Sequence, residues 1–347
     1  MRDFKYEDLI VKVIELKGNY KEIGFTQGKT IDPAIHRACE NLMMFRETAF
    51  SDTEAREVVQ ALLPQLGEEI DGLAAGLGIP LERALELYSG YDFPFPEMGC
   101  TTMIQGDYYV RNYDFGPSFY DARFVFNKPN NGYASVGFSG QIIGRLDGMN
   151  EKGLTVGLHF VNNKKGEKGF VATTIGRSIL DHCSNTDEAI NLIEKLPHGY
   201  AFNYSITDKY GNSALVEASP HKQHIEKVNP VMCTNHFLHQ DMRSENREYI
   251  QSSLERRSFL QELSTWREEL SPLQLFRQFN DEKSPLFYKQ YQQFFGTLHT
   301  VVYSPKTLDV MVGVGGNSEP IALSLKDWLD SSAQLPDIIK GRIQLGV

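Results

Sequence analysis

The sequence predicts an α+β layered fold with a helical N-terminal segment, and three observations carry the prediction. Apolar residues recur near every 3.6 positions between residues 20 and 90, short strand-like runs take over after Cys100, and two helical stretches interrupt those strands before they resume. Strands, then two helices, then strands again describe stacked sheets with helices packed outside. In the first segment, helices are expected over 54–63, 66–77 and, after Pro80, 81–87. Tyr91-Asp92-Phe93-Pro94-Phe95-Pro96-Glu97 follows, and its prolines forbid both helix and central strand. That run is expected to be an extended, exposed connector, the kind of segment most easily cut. Strands are then expected over 101–105, 108–112, 134–138, 142–147 and 154–160, with turns at Gln105-Gly106-Asp107 and Asn150-Glu151-Lys152-Gly153. Helices over 171–183 and 187–195 precede strands over 204–208, 214–218 and 224–228, with Gly211-Asn212 as a hairpin turn. A long helix over 245–263 and a closing hairpin, 298–303 with 310–314 across Ser304-Pro305-Lys306-Thr307, complete the chain.

Bulk properties exclude several classes. At 347 residues the chain is ample for a real core, and 41% hydrophobic with 23% charged residues is a globular composition. A net charge of −10 without a basic run argues against nucleic acid. Met1 to Asp8 mixes acids and bases with no apolar stretch, so it does not read as a secretory signal. No apolar run approaches the ~18 residues of a membrane helix, and a cytoplasmic protein is expected. Four cysteines, Cys39, Cys100, Cys183 and Cys233, are too few for a disulfide framework.

Cys100 is the candidate nucleophile. Gly99 precedes it with an unhindered carbonyl, and a short strand, a turn and a second strand ending in Arg111-Asn112-Tyr113-Asp114 follow. An N-terminal cysteine carries a thiol (pKa ~8.5) and an α-amine (pKa ~7.7–8.0) on one residue, so base and nucleophile coexist near neutral pH. Arg111 on the adjoining strand would favour thiolate, and Asp114 would hold the new α-ammonium. Within Cys233-Thr234-Asn235-His236-Phe237, Asn235 is either an oxyanion donor or a structural turn residue. Cys233, His236 and His239 are too closely spaced for a standard zinc set, and no metal is expected. Gly157-Leu158-His159-Phe160 ends the 154–160 strand, where a backbone N–H would complete an oxyanion hole; the His159 ring is read as pocket lining. Tyr113, Phe115 and Phe160 are candidate pocket aromatics.

The residues together resemble the acyl-coenzyme A:6-aminopenicillanic acid acyltransferase group of N-terminal nucleophile hydrolases (the C45 peptidase-like family), and more distantly the choloylglycine hydrolases. The resemblance runs through Glu15-Leu16-Lys17-Gly18-Asn19-Tyr20-Lys21-Glu22-Ile23-Gly24, Gln27-Gly28, Gly99-Cys100-Thr101-Thr102, Arg111-Asn112-Tyr113-Asp114 and Met149-Asn150-Glu151-Lys152-Gly153-Leu154. It continues through Thr234-Asn235-His236-Phe237, Ser253-Leu254-Glu255-Arg256 and Thr297-Leu298-His299-Thr300-Val301-Val302. It implies a four-layer αββα sandwich and self-cleavage between Gly99 and Cys100. Residues 1–99 would be retained as a mainly helical small subunit, and 100–347 would form the catalytic core. By position, Cys100 looks like the nucleophile, Arg111 and Asp114 its supports, Asn235 and the His159 backbone N–H the oxyanion hole. Arg256, with Arg257 beside it, resembles a buried arginine near the active site.

The expected activity is an autoprocessed amidase that cleaves a linear non-peptide or small-peptide amide, or transfers its acyl group, through a thioester. The alternatives are an unprocessed ligand-binding homologue and a processing peptidase for small N-acyl peptides. No cofactor is expected. The expected partners are a small-molecule amide and the chain's own N-terminal segment, with no nucleic acid or membrane; a homo-oligomer is compatible with the sequence.

Overall fold

A computed structural model describes residues 5–46, 49–162, 167–265, 270–293 and 295–345. The chain begins with β1 (Lys5–Gly18), whose Leu9 and Val11 are buried while Tyr6 and Ile10 are exposed. This strand precedes every element expected from periodicity. It ends where Asn19 starts α1 (Tyr20–Thr30) with a capping box: the Asn19 side chain accepts from the Glu22 N–H at 2.9 Å, and the Glu22 carboxylate accepts from the Asn19 N–H at 2.9 Å. Then come α2 (Pro33–Leu42), α3 (Asp52–Leu62), α4 (Pro64–Leu77) and α5 (Leu81–Tyr88). α1 and α4 press together through Gly24, Gly28, Gly72 and Gly76. A Cβ at Gly24 would stand 1.9 Å from the Glu69 carbonyl oxygen, and one at Gly72 2.0 Å from that of Lys21. The contact closes over Glu69, which accepts from Gln27 Nε2 at 2.6 Å and Arg177 Nη2 at 2.8 Å.

The connector is extended but buried, which corrects the expectation of an exposed segment. Phe93 and Phe95 are covered, and only Glu97 is exposed among residues 91–97. The reason is aromatic anchoring: Phe95 packs against Phe160, Tyr200 and Phe202 with ring centroids 6.4, 6.5 and 5.5 Å apart.

After it run β2 (Gly99–Gln105), β3 (Tyr108–Phe115), β4 (Arg123–Pro129), β5 (Ser135–Gly140), β6 (Gly144–Arg145), β7 (Asp147–Asn150) and β8 (Thr155–Asn162). The helices α6 (Ala172–His182) and α7 (Thr186–Lys195) follow, then β9 (Ala201–Thr207), β10 (Ser213–Ala218), β11 (Gln223–Lys227) and β12 (Val231–Cys233). The last part holds α8 (Gln251–Ser264), α9 (Pro272–Asn280), β13 (Lys289–Gln290), β14 (Phe295–Ser304), β15 (Asp309–Val314), β16 (Ile321–Ser324), α10 (Leu325–Leu329) and β17 (Ile338–Leu345). One sheet has the order β11-β10-β9-β8-β7-β5-β4-β1-β17, with β6 paired to β5. The other has the order β12-β2-β3-β14-β15-β16, with β13 paired to β14. The sheets stack through β2 against β8, α6 and α7 cover the outer face of the first, and α8 and α9 cover that of the second. These are the four layers of an αββα sandwich.

Two expected elements are shorter than their patterns. The 142–147 strand is broken because Gln141 and Ile142 take left-handed backbone (φ 52° and 68°). The Ile142 N–H donates to Asp121 at 2.7 Å, which turns the chain between β5 and β6. The 245–263 helix starts only at Gln251, because Asn246 takes the Phe237 N–H (2.6 Å) and donates to the Phe237 carbonyl (3.1 Å).

Candidate active site

The β2–β3 hairpin builds the site by strand arithmetic. Its register pairs Gly99 with Asp114, Cys100 with Tyr113 and Thr102 with Arg111. Side chains alternate between faces, so Cys100, Arg111 and Tyr113 point between the two sheets, whereas Thr101 and Asp114 point toward α8 and α9. The core repeats this split: Ile104 joins the inter-sheet core and Met103 packs with Leu260 and Phe276 of the helical layer. The thiol and the backbone of one cysteine therefore meet different partners.

On the inner face, Arg111 Nη2 donates to Cys100 Sγ at 2.9 Å and to the Leu158 carbonyl at 2.6 Å. Its Nη1 pairs with Asp147, whose other oxygen accepts from Tyr303 at 2.6 Å. His299 Nε2 lies 3.3 Å from Asp147 Oδ2, and its Nδ1 lies 2.8 Å from the Tyr120 hydroxyl. Asp147 is held below the usual carboxylate range: burial opposes ionisation, and Arg111 and His299 outweigh it. Burial pushes the Cys100 thiol up to about 12, with Arg111 acting in the other direction.

On the outer face the backbone of Cys100 is strapped. Its N–H donates to Asn235 Oδ1 at 3.0 Å, and its carbonyl accepts from Arg256 Nη1 at 2.7 Å. Arg256 Nη2 also donates to Asn235 Oδ1 at 2.8 Å, while Asn235 Nδ2 donates to the Phe160 carbonyl at 2.7 Å. Two donors at one end and a carbonyl at the other fix the amide's orientation. One of its two N–H groups is thus committed to Phe160. Asp114 accepts from Thr297 at 2.6 Å through Oδ1; its buried Oδ2 has no hydrogen-bond partner and lies 3.9 Å from Arg256 Nη1. Burial raises the Asp114 carboxyl pKa, with Arg256 opposing.

All six predicted site residues are gathered here. His159 sits on β8 facing the hairpin, its Nε2 2.9 Å from Ser205 Oγ, which lies 2.8 Å from the Tyr109 hydroxyl. Burial, with Arg111 second, lowers its pKa well below the ordinary value, so the ring is neutral. Arg256 rather than Arg257 reaches Cys100; Arg257 instead donates to the Met232 carbonyl. Of the aromatics, Tyr113 lies under Arg111 (5.4 Å) and Phe160 under Phe95, while Phe115 packs on Phe119. Cys233, His236 and His239 do not converge: His236 Nδ1 meets Ser253 at 2.8 Å, and His239 stacks on His224. Sequence reasoning missed Asp147, His299 and Tyr303. Spacing carries no signal for them, since Asp147 lies 36 positions beyond Arg111; His299 lies inside a fragment quoted above for resemblance alone.

Among the described residues, no helix is long and apolar enough to cross a membrane. No curated protein matches the sequence significantly. Among solved structures, a variant of conjugated bile acid hydrolase from Clostridium perfringens is similar at 11% identity (72% of this chain, 97% of that one, TM-score 0.45). Penicillin V acylase from Agrobacterium tumefaciens is similar at 15% identity (66% and 86%, TM-score 0.37). An N-acylethanolamine-hydrolyzing acid amidase orthologue from Caenorhabditis elegans is similar at 10% identity (60% and 93%, TM-score 0.40). The family model for acyl-coenzyme A:6-aminopenicillanic acid acyl-transferase matches residues 102–319, which takes in Arg111, Asp114, His159, Asn235 and Arg256. That match spans more than half of the sequence, and the chain belongs to this family.

Proposed function

We propose that the protein is an amidase that cuts its own Gly99–Cys100 bond and then uses Cys100 as an N-terminal nucleophile. One observation carries the reading: the thiol is bound by Arg111 while the backbone nitrogen of the same residue is bound by Asn235. In maturation, Cys100 Sγ attacks the Gly99 carbonyl carbon. The peptide nitrogen leaves as the Cys100 amine, taking up the proton that the thiol gives up, and a thioester joins Gly99 to Sγ. Water then releases the Gly99 carboxylate and the thiol. The new α-ammonium carries more N–H donors than the amide it replaces, and the partnerless Oδ2 of Asp114 is a buried acceptor suited to one of them.

In turnover, the neutral α-amine takes the thiol proton and the thiolate attacks the substrate carbonyl. The tetrahedral oxyanion is met by the second Nδ2 hydrogen of Asn235; the His159 backbone N–H faces β9, where His159 pairs with Asn203, and is not free to join it. The α-ammonium protonates the departing amine, leaving an acyl thioester. Water turns this into a carboxylic acid and free thiol; an amine captured first would make acyl transfer the outcome, with hydrolysis the default. Pairing of β1 with β17 and β4 supports residues 1–99 staying bound after the cut. Intact mass under denaturing conditions tests the reading: two fragments, the larger beginning at Cys100 and co-purifying with the smaller, are expected. A single 39.3 kDa species that hydrolyses no acyl amide would overturn it in favour of an unprocessed binding protein.

A further inference from the structure

Self-cleavage needs the Gly99 carbonyl carbon held against the Cys100 thiol. Asn235 and Arg256 hold the Cys100 side of that bond, through its N–H and its carbonyl. An aromatic ring holds the Gly99 side. A Cβ at Gly99 would stand 2.4 Å from Phe295 Cζ, 2.9 Å from Phe295 Cε2 and 3.0 Å from Asp114 Cβ. The ring therefore rests on the Gly99 α-carbon, and a side chain at position 99 would have to displace it. Gly99 and Cys100 are neighbours on β2, so their side-chain directions are opposite. The thiol comes from the inter-sheet face, and Phe295 stands on the other, with Asp114 and Thr297.

The ring is itself fixed. β13 pairs with β14, placing Gln290 opposite Phe295. Tyr288 packs edge-on against Phe295, with centroids 4.8 Å apart and planes at 66°. The Tyr288 N–H donates to Thr297 Oγ1 at 2.9 Å, and the Thr297 N–H donates to the Tyr288 carbonyl at 2.9 Å. The Arg256 guanidinium carbon lies 5.0 Å from the centre of the Tyr288 ring. Tyr288 thus backs both the ring on Gly99 and the guanidinium on the Cys100 carbonyl.

We infer that Phe295 is a positioning residue for self-cleavage: its ring blocks the retreat of Gly99 from the thiol and keeps the carbonyl carbon within reach of attack. In that step the Sγ–C bond forms, the C–N bond breaks and the thiol proton passes to the Cys100 nitrogen. Phe295 touches none of these atoms and acts through the place of Gly99. The inference rests on the self-cleavage reading and names the residue that makes glycine necessary before the nucleophile.

The test is a suppressor experiment. The full chain is made by cell-free translation, quenched at intervals and read by intact mass for the fragment beginning at Cys100. Phe295→Leu removes Cε2 and Cζ but keeps an apolar side chain beside Tyr288. It is expected to slow cleavage by about 10- to 100-fold, the effect of losing a near-attack geometry. Phe295→Met, long enough to reach Gly99 again, should recover part of the rate. Gly99→Ala alone should also be slow, and adding Phe295→Leu should speed it by about 10-fold, because the methyl takes the space the ring leaves. A merely structural Phe295 predicts the reverse, with the double variant slower than either single one. If Phe295→Leu does not fold, Gly99→Ala with Phe295→Met carries the same comparison, since the flexible thioether yields to the methyl. Wild-type cleavage by Phe295→Leu, or a double variant no faster than Gly99→Ala, overturns the inference and leaves self-cleavage intact. A wild-type chain that stays whole overturns self-cleavage and the inference with it.

Discussion

Two buried arginines are treated in opposite ways. Arg177, on α6, donates from every guanidinium nitrogen: Nε to Asp181 at 2.9 Å, Nη2 to Glu69 at 2.8 Å and Nη1 to the Ile143 carbonyl at 3.1 Å. Arg111 is as deeply buried, yet it gives one nitrogen to a thiol and leaves Nε without a partner. Nearby, Asp114 Oδ2 and His159 Nδ1 are likewise buried without a hydrogen bond. An unsatisfied buried polar atom costs about 1–3 kcal/mol. The Arg177 clamp welds the N-terminal helices to the first sheet, whereas the Arg111 cluster holds incomplete bonds that a reaction can complete. In this pair the satisfied arginine clamps the fold and the unsatisfied one stands beside the thiol.

The largest way to break this contrast is Cys100→Ala. Self-cleavage and turnover should both vanish, with one 39.3 kDa species by mass spectrometry and an unchanged fold. A variant still split after Gly99 would mean that another protease does the cutting. Glu69→Gln should act in the opposite sense, on stability alone. Removing one partner of a buried pair costs about 3–5 kcal/mol, read from the urea midpoint, while kcat per folded molecule holds. A fall in kcat at full folding would mean that the two arginine networks are coupled. Asn235→Ala should lower kcat by roughly 10²–10³ through loss of an oxyanion donor. Unchanged turnover with normal processing would leave Asn235 only the role of holding the Cys100 N–H.

The contrast also separates what the sequence discloses from what it hides. Helices α3, α5 and α7 are legible because their burial is one-sided, so their apolar spacing is regular; the Gln105-Gly106-Asp107 turn makes the β2–β3 hairpin legible although both strands are buried almost throughout. β4 is not: Arg123, Phe124, Val125, Phe126 and Asn127 are all buried, so no alternation marks it. The connector's prolines correctly exclude regular structure, but prolines do not report exposure, and its two phenylalanines decide that instead. α9 was within reach, since Ser271-Pro272 with Gln274 spells a capping box and a proline at the first turn. The thiol's neighbour in sequence, Arg111, follows from strand geometry. Its partners Asp147 and His299 come from other strands, and only the folded topology brings them in.

Asp114 gives the smallest effect and the sharpest test of the contrast. Its carboxylate is buried, one oxygen lacks a hydrogen bond, and burial raises its pKa despite Arg256. A carboxyl with a raised folded pKa binds its proton more tightly in the native state than in the unfolded chain. Its favourable contribution is therefore full below the ordinary Asp value of about 3.9 and is lost as pH rises through the folded value. At neutral pH the charge works against folding. Asp114→Asn should accordingly stabilise the uncleaved chain by about 0.5–2 kcal/mol at pH 7, with the gain shrinking toward pH 4. The same variant should slow maturation and turnover, because an amide holds an α-ammonium less well than a carboxylate does. Urea melts at the two pH values, made in a Cys100→Ala background so that cleavage does not intervene, read the stability arm. If Asp114→Asn instead destabilises the chain at pH 7, the Asp114–Arg256 pair belongs with Glu69 and Arg177 as a structural clamp.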